Sequence, residues 1–473
     1  MMQAANVVKV PEGDETGLTT RRVVHSASIW VPKRLLHNYQ LLLRAGTIHG
    51  HSSREGTLAV QIIKETETHV ILPRMFPMPA LCEVTAPAWL LHEIPFDTYQ
   101  FSDGMTPRDE KQQQAWEAFD KAPCGILSIA CGGGKTSLAL KKIAKRAFAA
   151  VVIVSNSTLV EQWVDRAKTF LGLTDNDVGI VRGDIQEWDK PLVVAMMQTL
   201  VTRLDSIPMW ARQRFGTVIW DEVHHLSAPG FVQTAALFFG ARYGLSATPE
   251  RGDRLERVYY YHIGPVFHRD DRSEIYANIS FKRTNTTVDA NKLCDYQGRL
   301  VVSKLYDILR LSTERNELII SDVMSAVRAG RHVLVLGHSV AHLQELAAAI
   351  YERAENVLVD IVTGDVSRES RRVALSRAKV ICATFSLARE GLDVPSLDTL
   401  FLITPFRDWG GFQQAKGRVE RAYKDKLAPI VVMYDDFLVR PAAEMCKSLR
   451  RELGHRDLKY RILSQAGRDT SST

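Results

Sequence analysis

The segment Ile126–Ser137, which reads ILSIACGGGKTS, constrains the fold of this chain more than any other feature. An apolar run typical of a buried strand passes into three consecutive glycines and then into a lysine, a threonine and a serine. Glycine accepts positive φ at no steric cost and lets backbone N–H groups approach phosphate oxygens closely. The order strand, glycine turn, helix therefore predicts an α/β unit whose loop binds a nucleoside triphosphate.

The phosphate-binding residues predicted in this loop are Gly132, Gly133, Gly134, Lys135, Thr136 and Ser137. We expect Lys135 to place its charge against the β and γ phosphates and Thr136 to bind Mg²⁺ through its hydroxyl. Ile129 occupies the first glycine position of the G-x-x-x-x-G-K-[ST] pattern. The loop by itself therefore leaves open a glycine turn in front of an ordinary helix.

A second signal comes from two adjacent carboxylates, Asp221 and Glu222, which follow the apolar run Thr217–Trp220. Carboxylates at the end of a parallel strand lie at the edge of the sheet where ligands of such sheets bind. We expect Asp221 to hold Mg²⁺ through water and Glu222 to orient and deprotonate the attacking water. Acidic residues also begin helices, but with the loop upstream the pair predicts hydrolysis of a nucleoside triphosphate with Mg²⁺.

Two series of apolar, β-branched runs predict two parallel α/β units in tandem, and only the first carries a phosphate loop. We expect a small α+β accessory domain over residues 1–104, a first α/β domain over 105–285, a second over 286–440, and a basic helical tail over 441–473 with a disordered end. The predicted strands are Ile126–Ala130, Ala150–Ser155, Leu192–Met196, Val218–Trp220 and Tyr243–Ser246, then His332–Leu336, Val357–Val362, Val380–Ala383, Thr399–Ile403 and Ile430–Met433.

Length and composition bound the classes of function. A chain of 473 residues exceeds what one hydrophobic core usually serves, which agrees with several domains. The net charge of +6 fits a polyanionic partner without demanding one. The six cysteines form no C-x-x-C pair, so neither a zinc site nor a disulfide framework is indicated. We find no apolar run of membrane-spanning length and no signal-peptide core, and we expect a monomer in the cytoplasm.

Three consecutive glutamines, Gln112, Gln113 and Gln114, lie about one helix and one turn before the phosphate loop. A glutamine amide can donate to and accept from the adenine edge at once. Spacing does not decide which of the three does so, although Gln112 fits best. Trp116 and Trp163 lie on predicted helical faces and are expected in the core, not as platforms on which bases stack.

Further segments occur in an order that no single motif specifies: SNSTLVEQW at 155–163, MQT at 197–199, GLSATPERGD at 244–253, ATFSLAREGLDVP at 383–395 and QAKGRVER at 414–421. This ordered set resembles the motifs of superfamily 2 helicases and translocases over roughly residues 105–435. SNSTLVEQW and the arginine after SATP resemble most the XPB and RadD helicases and the phage UvsW-type branch-migration helicases. DEVH in place of DEAD, and Gln414 where DEAD-box RNA helicases have His, favour DNA over RNA.

The resemblance implies a motor made of two RecA-like domains, and it assigns roles to residues of both. It implies that hydrolysis is coupled to domain movement by Ser246, Thr248 and Gln414. It implies that Arg418 and Arg421 reach the γ-phosphate from the second domain, and their spacing predicts that both face the same way on one helix. Gly391 and Asp393 are implied near the ribose and the cleft. The implied nucleic-acid contacts are Asn156, Ser157, Thr199, Thr384 and Arg389.

The sequence thus predicts an ATP-dependent DNA helicase or translocase that remodels forked or branched DNA in replication, recombination or repair. The resemblance places it in a bacterial cell or, if phage-encoded, in the host cytoplasm, with an N-terminal domain that selects or grips the substrate. Two alternatives stay open. An RNA-dependent ATPase would be stimulated by RNA and not by DNA, whereas an ATP-gated nucleic-acid clamp would hydrolyse ATP at a rate that no nucleic acid changes.

Overall fold

The computed structural model of the chain describes residues 24–25, 27–36, 39–52, 56–77, 90–91, 96–130, 132–250, 253–270, 275–354, 357–362, 375, 377–385, 394–421 and 423–466. The chain divides into two compact units, residues 1–271 and 272–473. The predicted boundary at 285 is therefore too late. The cause is a strand at Asn278–Arg283, which the sequence did not predict and which pairs with Ile430–Asp435 in the second unit.

The N-terminal part of the first unit is the small α+β region that the sequence predicts. Its elements, in chain order, are β1 Val24–His25, β2 Ile29–Pro32, α1 Tyr39–Ala45, β3 Thr47–Ser52, β4 Gly56–Gln61, β5 Lys64–Glu65, β6 His69–Leu72 and β7 Leu90–Leu91. Strands β3 and β4 form an antiparallel hairpin, and the others form a sheet in the order β5-β6-β2-β1-β7. The region therefore has its own sheet and does not extend the larger one.

The remainder of the first unit is an eight-stranded sheet in the order β11-β10-β12-β9-β13-β14-β8-β15. Its strands are β8 Gly125–Ile129, β9 Ala150–Val154, β10 Val178–Arg182, β11 Ile185–Gln186, β12 Leu192–Met196, β13 Thr217–Trp220, β14 Ala241–Ser246 and β15 Val266–Asp270. Its helices are α2 Glu110–Lys121, α3 Lys135–Arg146, α4 Ser157–Leu171, α5 Met197–Thr202, α6 Met209–Arg214 and α7 Glu256–Ile263. Every strand pair is parallel except β10 with β11.

The apolar runs of this sheet fill a hydrophobic core on each face. In β9, Val152 and Val154 belong to one buried cluster, whereas Val151 and Ile153 belong to another. Successive side chains of a strand point to opposite faces. A continuous apolar run is therefore what a parallel strand covered on both faces requires, as the sequence predicts.

The second unit is a seven-stranded, wholly parallel sheet in the order β18-β19-β17-β20-β21-β16-β22. Its strands are β16 Asn278–Arg283, β17 Val333–Gly337, β18 Val359–Val362, β19 Val380–Thr384, β20 Thr399–Leu402, β21 Ile430–Asp435 and β22 Tyr460–Leu463. Its helices are α8 Val302–Arg310, α9 Thr313–Arg328, α10 Val340–Arg353, α11 Trp409–Val419 and α12 Arg440–His455. The predicted fold class, two tandem RecA-like α/β domains with a small N-terminal domain, is confirmed.

The segment 441–473 is not a separate basic tail over the part that is described. Helix α12 buries Ala442, Cys446, Leu449 and Leu453, and the strand after it pairs with β16 in parallel. The segment carries basic residues and also an apolar stripe at helical spacing, and this stripe packs the helix into the second unit. Residues 467–473, predicted to be disordered, lie outside the described part.

Among the described residues, no helix combines the length and the apolar character that crossing a membrane would require.

Candidate active site

Three neighbouring strands of the first sheet end at the same edge, and each leads into a predicted motif. Strand β14 pairs with β8 on one side and with β13 on the other, all in parallel. The glycine loop follows β8, Ser246 ends β14, and Asp221 follows β13. The structure therefore brings the phosphate loop, Ser246 and the paired carboxylates together, although they are far apart in the sequence.

The backbone of the phosphate loop requires its glycines. Gly132 and Gly134 have φ of 83° and 88°, in the region that side chains disfavour. A Cβ atom at Gly134 would lie 2.0 Å from Nε2 of Gln112, and one at Gly133 would lie 2.2 Å from Cγ2 of Ile129. Larger residues would therefore displace either the loop or the side chains of Gln112 and Ile129.

The first turn of α3 carries the residues predicted to contact phosphates and Mg²⁺. Lys135 begins the helix, and its ammonium donates to the carbonyl oxygen of Ile129 across 2.9 Å. Ser137 donates its hydroxyl to the carbonyl of Gly134 at 2.8 Å, which closes the turn. Thr136 lies between them with a half-buried side chain. The helix N-terminus thus presents backbone N–H groups and one cation, the combination that binds phosphates.

Gln112 is the one of the three glutamines that contacts the phosphate loop. Its side chain is buried, its Oε1 accepts from the backbone N–H of Arg108 at 2.9 Å, and its Nε2 donates to the Gly133 carbonyl at 3.2 Å. Gln113 and Gln114 are exposed and donate to glutamates of their own helix. The geometry thus supports the choice of Gln112, whose amide keeps one donor and one acceptor position for a further contact.

Asp221 is buried, and both of its carboxylate oxygens accept a hydrogen bond. Oδ1 accepts from the backbone N–H of Glu222 at 3.0 Å, and Oδ2 accepts from the indole N–H of Trp163 at 2.7 Å. Burial raises the pKa of Asp221 to about 6, and the adjacent Glu222 charge adds to this, whereas the Trp163 hydrogen bond and Lys135 act in the opposite direction.

Glu222 adopts a left-handed backbone conformation, with φ 48° and ψ 58°, just before the short 3₁₀-helix Val223–Ser227. A non-glycine residue in this region costs about 1–2 kcal/mol, and such residues concentrate at functional sites. Its Oε2 lies 3.4 Å from Nδ1 of His224. The sequence did not predict this histidine as a neighbour of the proposed base, although its place two residues on could have suggested it.

The oxygen donors of the site fit a magnesium ion bound together with a nucleotide. Mg²⁺ prefers hard oxygen ligands and usually takes one or two protein carboxylates beside substrate phosphates and water. The Asp221 carboxylate follows β13 and the Thr136 hydroxyl follows β8, the strands on either side of β14, and both offer this chemistry. The cradle of Gly132, Gly133 and Gly134, too tight for side chains, fits the phosphates.

The segment after β14 is held by hydrogen bonds of its own. Ser246 is buried, and its hydroxyl accepts from the backbone N–H of Thr248 at 3.1 Å. Tyr259 of α7 donates its hydroxyl to the carbonyl of Pro249. Ser246 and Thr248, two of the three residues predicted to couple hydrolysis to movement, are therefore linked to each other next to the phosphate loop.

The predicted nucleic-acid contacts of the first unit differ in exposure. Asn156 caps α4 by accepting from the backbone N–H of Leu159 at 2.9 Å, and Ser157 beside it is exposed. Thr199 is buried, and its hydroxyl accepts from the backbone N–H of Gly183 at 3.0 Å. The side chain of Thr199 thus has a role inside the protein, and Ser157 is the better placed of the three to touch a ligand.

In the second unit, the prediction that Arg418 and Arg421 share one helix is wrong. Helix α11 ends at Val419, with Glu420 as its C-cap. The buried Glu420 carboxylate accepts from Lys416 Nζ at 2.5 Å and from the backbone N–H of Ala277 at 2.9 Å. These bonds hold the chain where the helix stops, so Arg421 lies beyond the last turn.

Both arginines of this motif have half-buried side chains, and Gln414 is buried within α11. Thr384 ends strand β19 at the carboxyl edge of the second sheet. Arg389, Gly391 and Asp393 lie outside the described residues.

Trp163 makes a contact with Asp221 that the sequence did not predict. Its helical position predicted a core residue, which its 1% exposure confirms. The hydrogen bond to Asp221 joins residues 58 positions apart. No local pattern reports a contact over that separation.

Comparisons with known proteins agree with this architecture. Residues 105–251 match the family described as type III restriction enzyme, res subunit, and residues 315–423 match the helicase conserved C-terminal domain. A protein of Acanthamoeba polyphaga mimivirus, provisionally named an ATP-dependent RNA helicase, is 24% identical over 78% of this chain and 71% of its own. The DNA 3'-5' translocase XPB2 of Sulfurisphaera tokodaii is 26% identical over 72% of this chain and 84% of its own.

Among solved structures, Saccharomyces cerevisiae Dbp5 bound to RNA and ADP–BeF3 is similar with a TM-score of 0.55. The match covers 75% of this chain and 90% of that protein, at 13% sequence identity. At this identity the likeness shows the fold, two α/β domains of the same kind in tandem.

Proposed function

We propose that this chain, which belongs to the superfamily 2 helicases and hydrolyses ATP, is a motor that moves along DNA and remodels forked or branched DNA. The observation that carries the ATPase part is the meeting of the phosphate loop, Ser246 and Asp221 with Glu222 at one sheet edge. Those are the parts that phosphoryl transfer to water requires: a phosphate cradle, a magnesium ligand and a base. The DNA part rests on the motif variants and on the Sulfurisphaera tokodaii relative, and stimulation of the ATPase by nucleic acids tests it.

In the proposed reaction, Glu222 orients a water molecule and takes its proton while the water oxygen attacks the γ-phosphorus and the bond to the ADP oxygen breaks. Lys135 binds the β and γ phosphates, and the backbone N–H groups of Gly132–Gly134 surround them. Mg²⁺, when bound, supplies positive charge that neutralises the phosphate oxygens. Asp221 and Thr136 would hold it, and Gln112 would contact the adenine.

Movement would come from closure of the two RecA-like domains on ATP. An arginine supplied from another domain stabilises the transition state only when that domain is in place, so hydrolysis depends on closure. Arg418 and Arg421 are the candidates for this role, with Gln414, Gly391 and Asp393 near the nucleotide. Ser246 and Thr248 would carry the change to the rest of the motor, and hydrolysis would reopen the domains.

The nucleic-acid contacts would be made mainly to phosphates, by Ser157, Thr384 and Arg389 and by the segments around Asn156 and Thr199. Such contacts give binding that is independent of sequence and sensitive to salt. Gln198 ties two of these segments together, because its Nε2 donates to the Ser155 carbonyl at 2.6 Å. Segments after neighbouring strands β9 and β12 would thus form one surface.

DNA is proposed over RNA because the motif variants favour it and because the archaeal relative is named as a DNA translocase. The mimivirus relative is named for RNA, which keeps an RNA-dependent ATPase as the second candidate. The ATPase rate measured with single-stranded, duplex, forked and four-way-junction DNA and with RNA decides between them. We expect the largest stimulation with forked or four-way DNA. Stimulation by RNA alone would select the second candidate, and a rate that no nucleic acid changes would indicate a clamp.

A further inference from the structure

The indole of Trp163 touches the carboxylate of Asp221 directly. Trp163 is 1% exposed and lies on α4, a helix of 15 residues, within the core that covers one face of the first sheet. Its Nε1–H donates to Oδ2 of Asp221 at 2.7 Å, a short distance that is typical of a charge-assisted hydrogen bond. The other oxygen, Oδ1, accepts from the backbone N–H of Glu222 at 3.0 Å.

These two donors fix the carboxylate as a whole. A carboxylate has about four acceptor positions, and here one position on each oxygen is used by the protein. Rotation about the last bond of the Asp221 side chain would break both bonds. The remaining positions therefore have set directions, which is what a ligand to a metal or to its water shell requires.

Burial alone does not force such a contact in this protein. The indole nitrogen of Trp220, which is also fully buried, has no hydrogen-bond partner among the described residues. Trp188 donates its indole N–H to the amide oxygen of Gln186 at 3.2 Å, which is longer and joins two neutral groups. Trp163 is thus distinguished by its acceptor, a buried carboxylate next to the phosphate loop.

We propose that Trp163 is a positioning residue for ATP hydrolysis, whose indole N–H holds the Asp221 carboxylate in the orientation that binds Mg²⁺ through water. The Trp163 side chain does not contact the substrate; it acts through Asp221. Groups that hydrogen-bond a metal ligand in this way change metal affinity or activity about 10-fold to 100-fold when they are removed. The proposal rests on ATP hydrolysis and not on DNA remodelling, so every measurement below omits nucleic acid.

The test uses the full chain with Trp163→Phe, which keeps an aromatic ring and loses the N–H. The matched control is Trp188→Phe, which removes another buried indole N–H from the same unit. Four quantities are measured: the Mg²⁺ concentration at which binding of a fluorescent ATP analogue is half-maximal, kcat for ATP hydrolysis, KM for ATP, and the midpoint of thermal unfolding. Binding of the analogue in EDTA reports the nucleotide site without the metal.

We expect Trp163→Phe to raise the half-maximal Mg²⁺ concentration and to lower kcat, each about 10-fold or more, while analogue affinity in EDTA stays within about twofold. Trp188→Phe should leave the half-maximal Mg²⁺ concentration, kcat and KM near the wild-type values. A folded Trp163→Phe protein with wild-type Mg²⁺ dependence and kcat would overturn the proposal.

If Trp163→Phe fails to fold, benzothienylalanine at position 163 decides the question, because sulfur replaces the N–H in a ring of nearly the same shape. The same loss of Mg²⁺ affinity and kcat is expected, and unchanged values would overturn the proposal. These outcomes are independent of whether DNA stimulates the enzyme. DNA could fail to stimulate the enzyme while Trp163→Phe still has the expected effect. Equally, DNA could stimulate the enzyme while Trp163→Phe has no effect.

Discussion

Lys135 and Glu222 lie at the same sheet edge but have different proposed roles, one toward the phosphates and the other toward the attacking water. Lys135 donates across the phosphate loop to the Ile129 carbonyl and is proposed to act on bound phosphates, whereas Glu222 is proposed to act on water. We therefore expect Lys135→Ala to abolish hydrolysis and to weaken ATP binding strongly. Glu222→Gln should keep ATP binding and block turnover. Equilibrium nucleotide binding and steady-state ATPase rates on both variants check this.

The conservative variants Lys135→Arg and Glu222→Asp serve as controls, since they keep the charge and change the reach. Equal losses of nucleotide affinity in Lys135→Ala and Glu222→Gln would contradict the division of roles between the two residues.

Arg418 and Arg421 now stand in different local settings, one inside α11 and the other beyond its end. If both act on the γ-phosphate, Arg418→Ala and Arg421→Ala should each spare ATP binding and lower the nucleic-acid-stimulated rate about 10³-fold. Arg451→Ala, which removes an exposed arginine from the same unit, should leave this rate unchanged. The stimulated ATPase rate is the measurement, and full activity in either variant would remove that arginine from the mechanism.

At the scale of single residues, the sequence predicted those functional residues whose positions depend only on neighbouring parts of the chain. Lys135 and Asp221 could be recognised because a strand, a turn and the functional side chain are consecutive. The Trp163 contact and the end of α11 at Val419 could not, since each depends on a partner far along the chain, Asp221 in one case and Ala277 in the other.

Among the elements, the sequence predicted strands that are buried on both faces and missed several near the edges of a sheet, although it did predict the edge strand β18. All five residues of β8 and of β9 are buried, and both strands were predicted. Strand β15 reads VFHRD and β22 reads YRIL; each lies at the end of its sheet, and most of its residues are partly exposed. An edge strand needs apolar residues only where it is covered, so its sequence has no continuous apolar run.

Helix α7 contains a buried histidine that should make the first unit sensitive to acid. Burial, together with the nearby Arg242 charge, lowers the pKa of His262 to about 3. The folded chain keeps this ring neutral, whereas the unfolded chain binds a proton below its ordinary pKa of about 6.5. Stability is therefore complete above about pH 6.5 and falls as the pH decreases toward 3. At pH 5 the loss should be about 2 kcal/mol.

Urea unfolding of the first unit at pH 7.5 and pH 5 measures this effect in the wild type and in His262→Leu. The variant should lose about 2 kcal/mol less between the two pH values than the wild type. An identical loss in both proteins would assign the acid sensitivity to other groups.

At the scale of the whole molecule, the N-terminal region packs against the first α/β domain. Val31 and Val70 share a hydrophobic cluster with Leu255 and Val258. Arg74 donates to the carbonyls of Phe239 and Gly240 at 2.7 Å each. Deleting residues 1–104 would uncover this apolar surface, so a truncated chain tests stability as well as substrate binding, and a surface substitution is the better probe.

Arg34 offers such a probe, because it is exposed on this region. If this region contacts DNA, Arg34→Glu should weaken binding to forked DNA and reduce the slope of log affinity against log salt by about 1. Arg451→Glu in the second unit is the control for the change in net charge. Superimposable isotherms for Arg34→Glu and wild type across a salt series would leave substrate choice to the rest of the motor.

The central claim is that ATP hydrolysis at this site moves the protein along DNA. Displacement of a third strand from a triplex on duplex DNA measures that movement directly, since the duplex itself does not have to be unwound. We expect the wild-type chain to displace the strand with ATP and Mg²⁺, and we expect no displacement with a non-hydrolysable analogue or with Glu222→Gln. ATP hydrolysis by the wild type without any displacement, at salt concentrations where it binds the duplex, would contradict the claim.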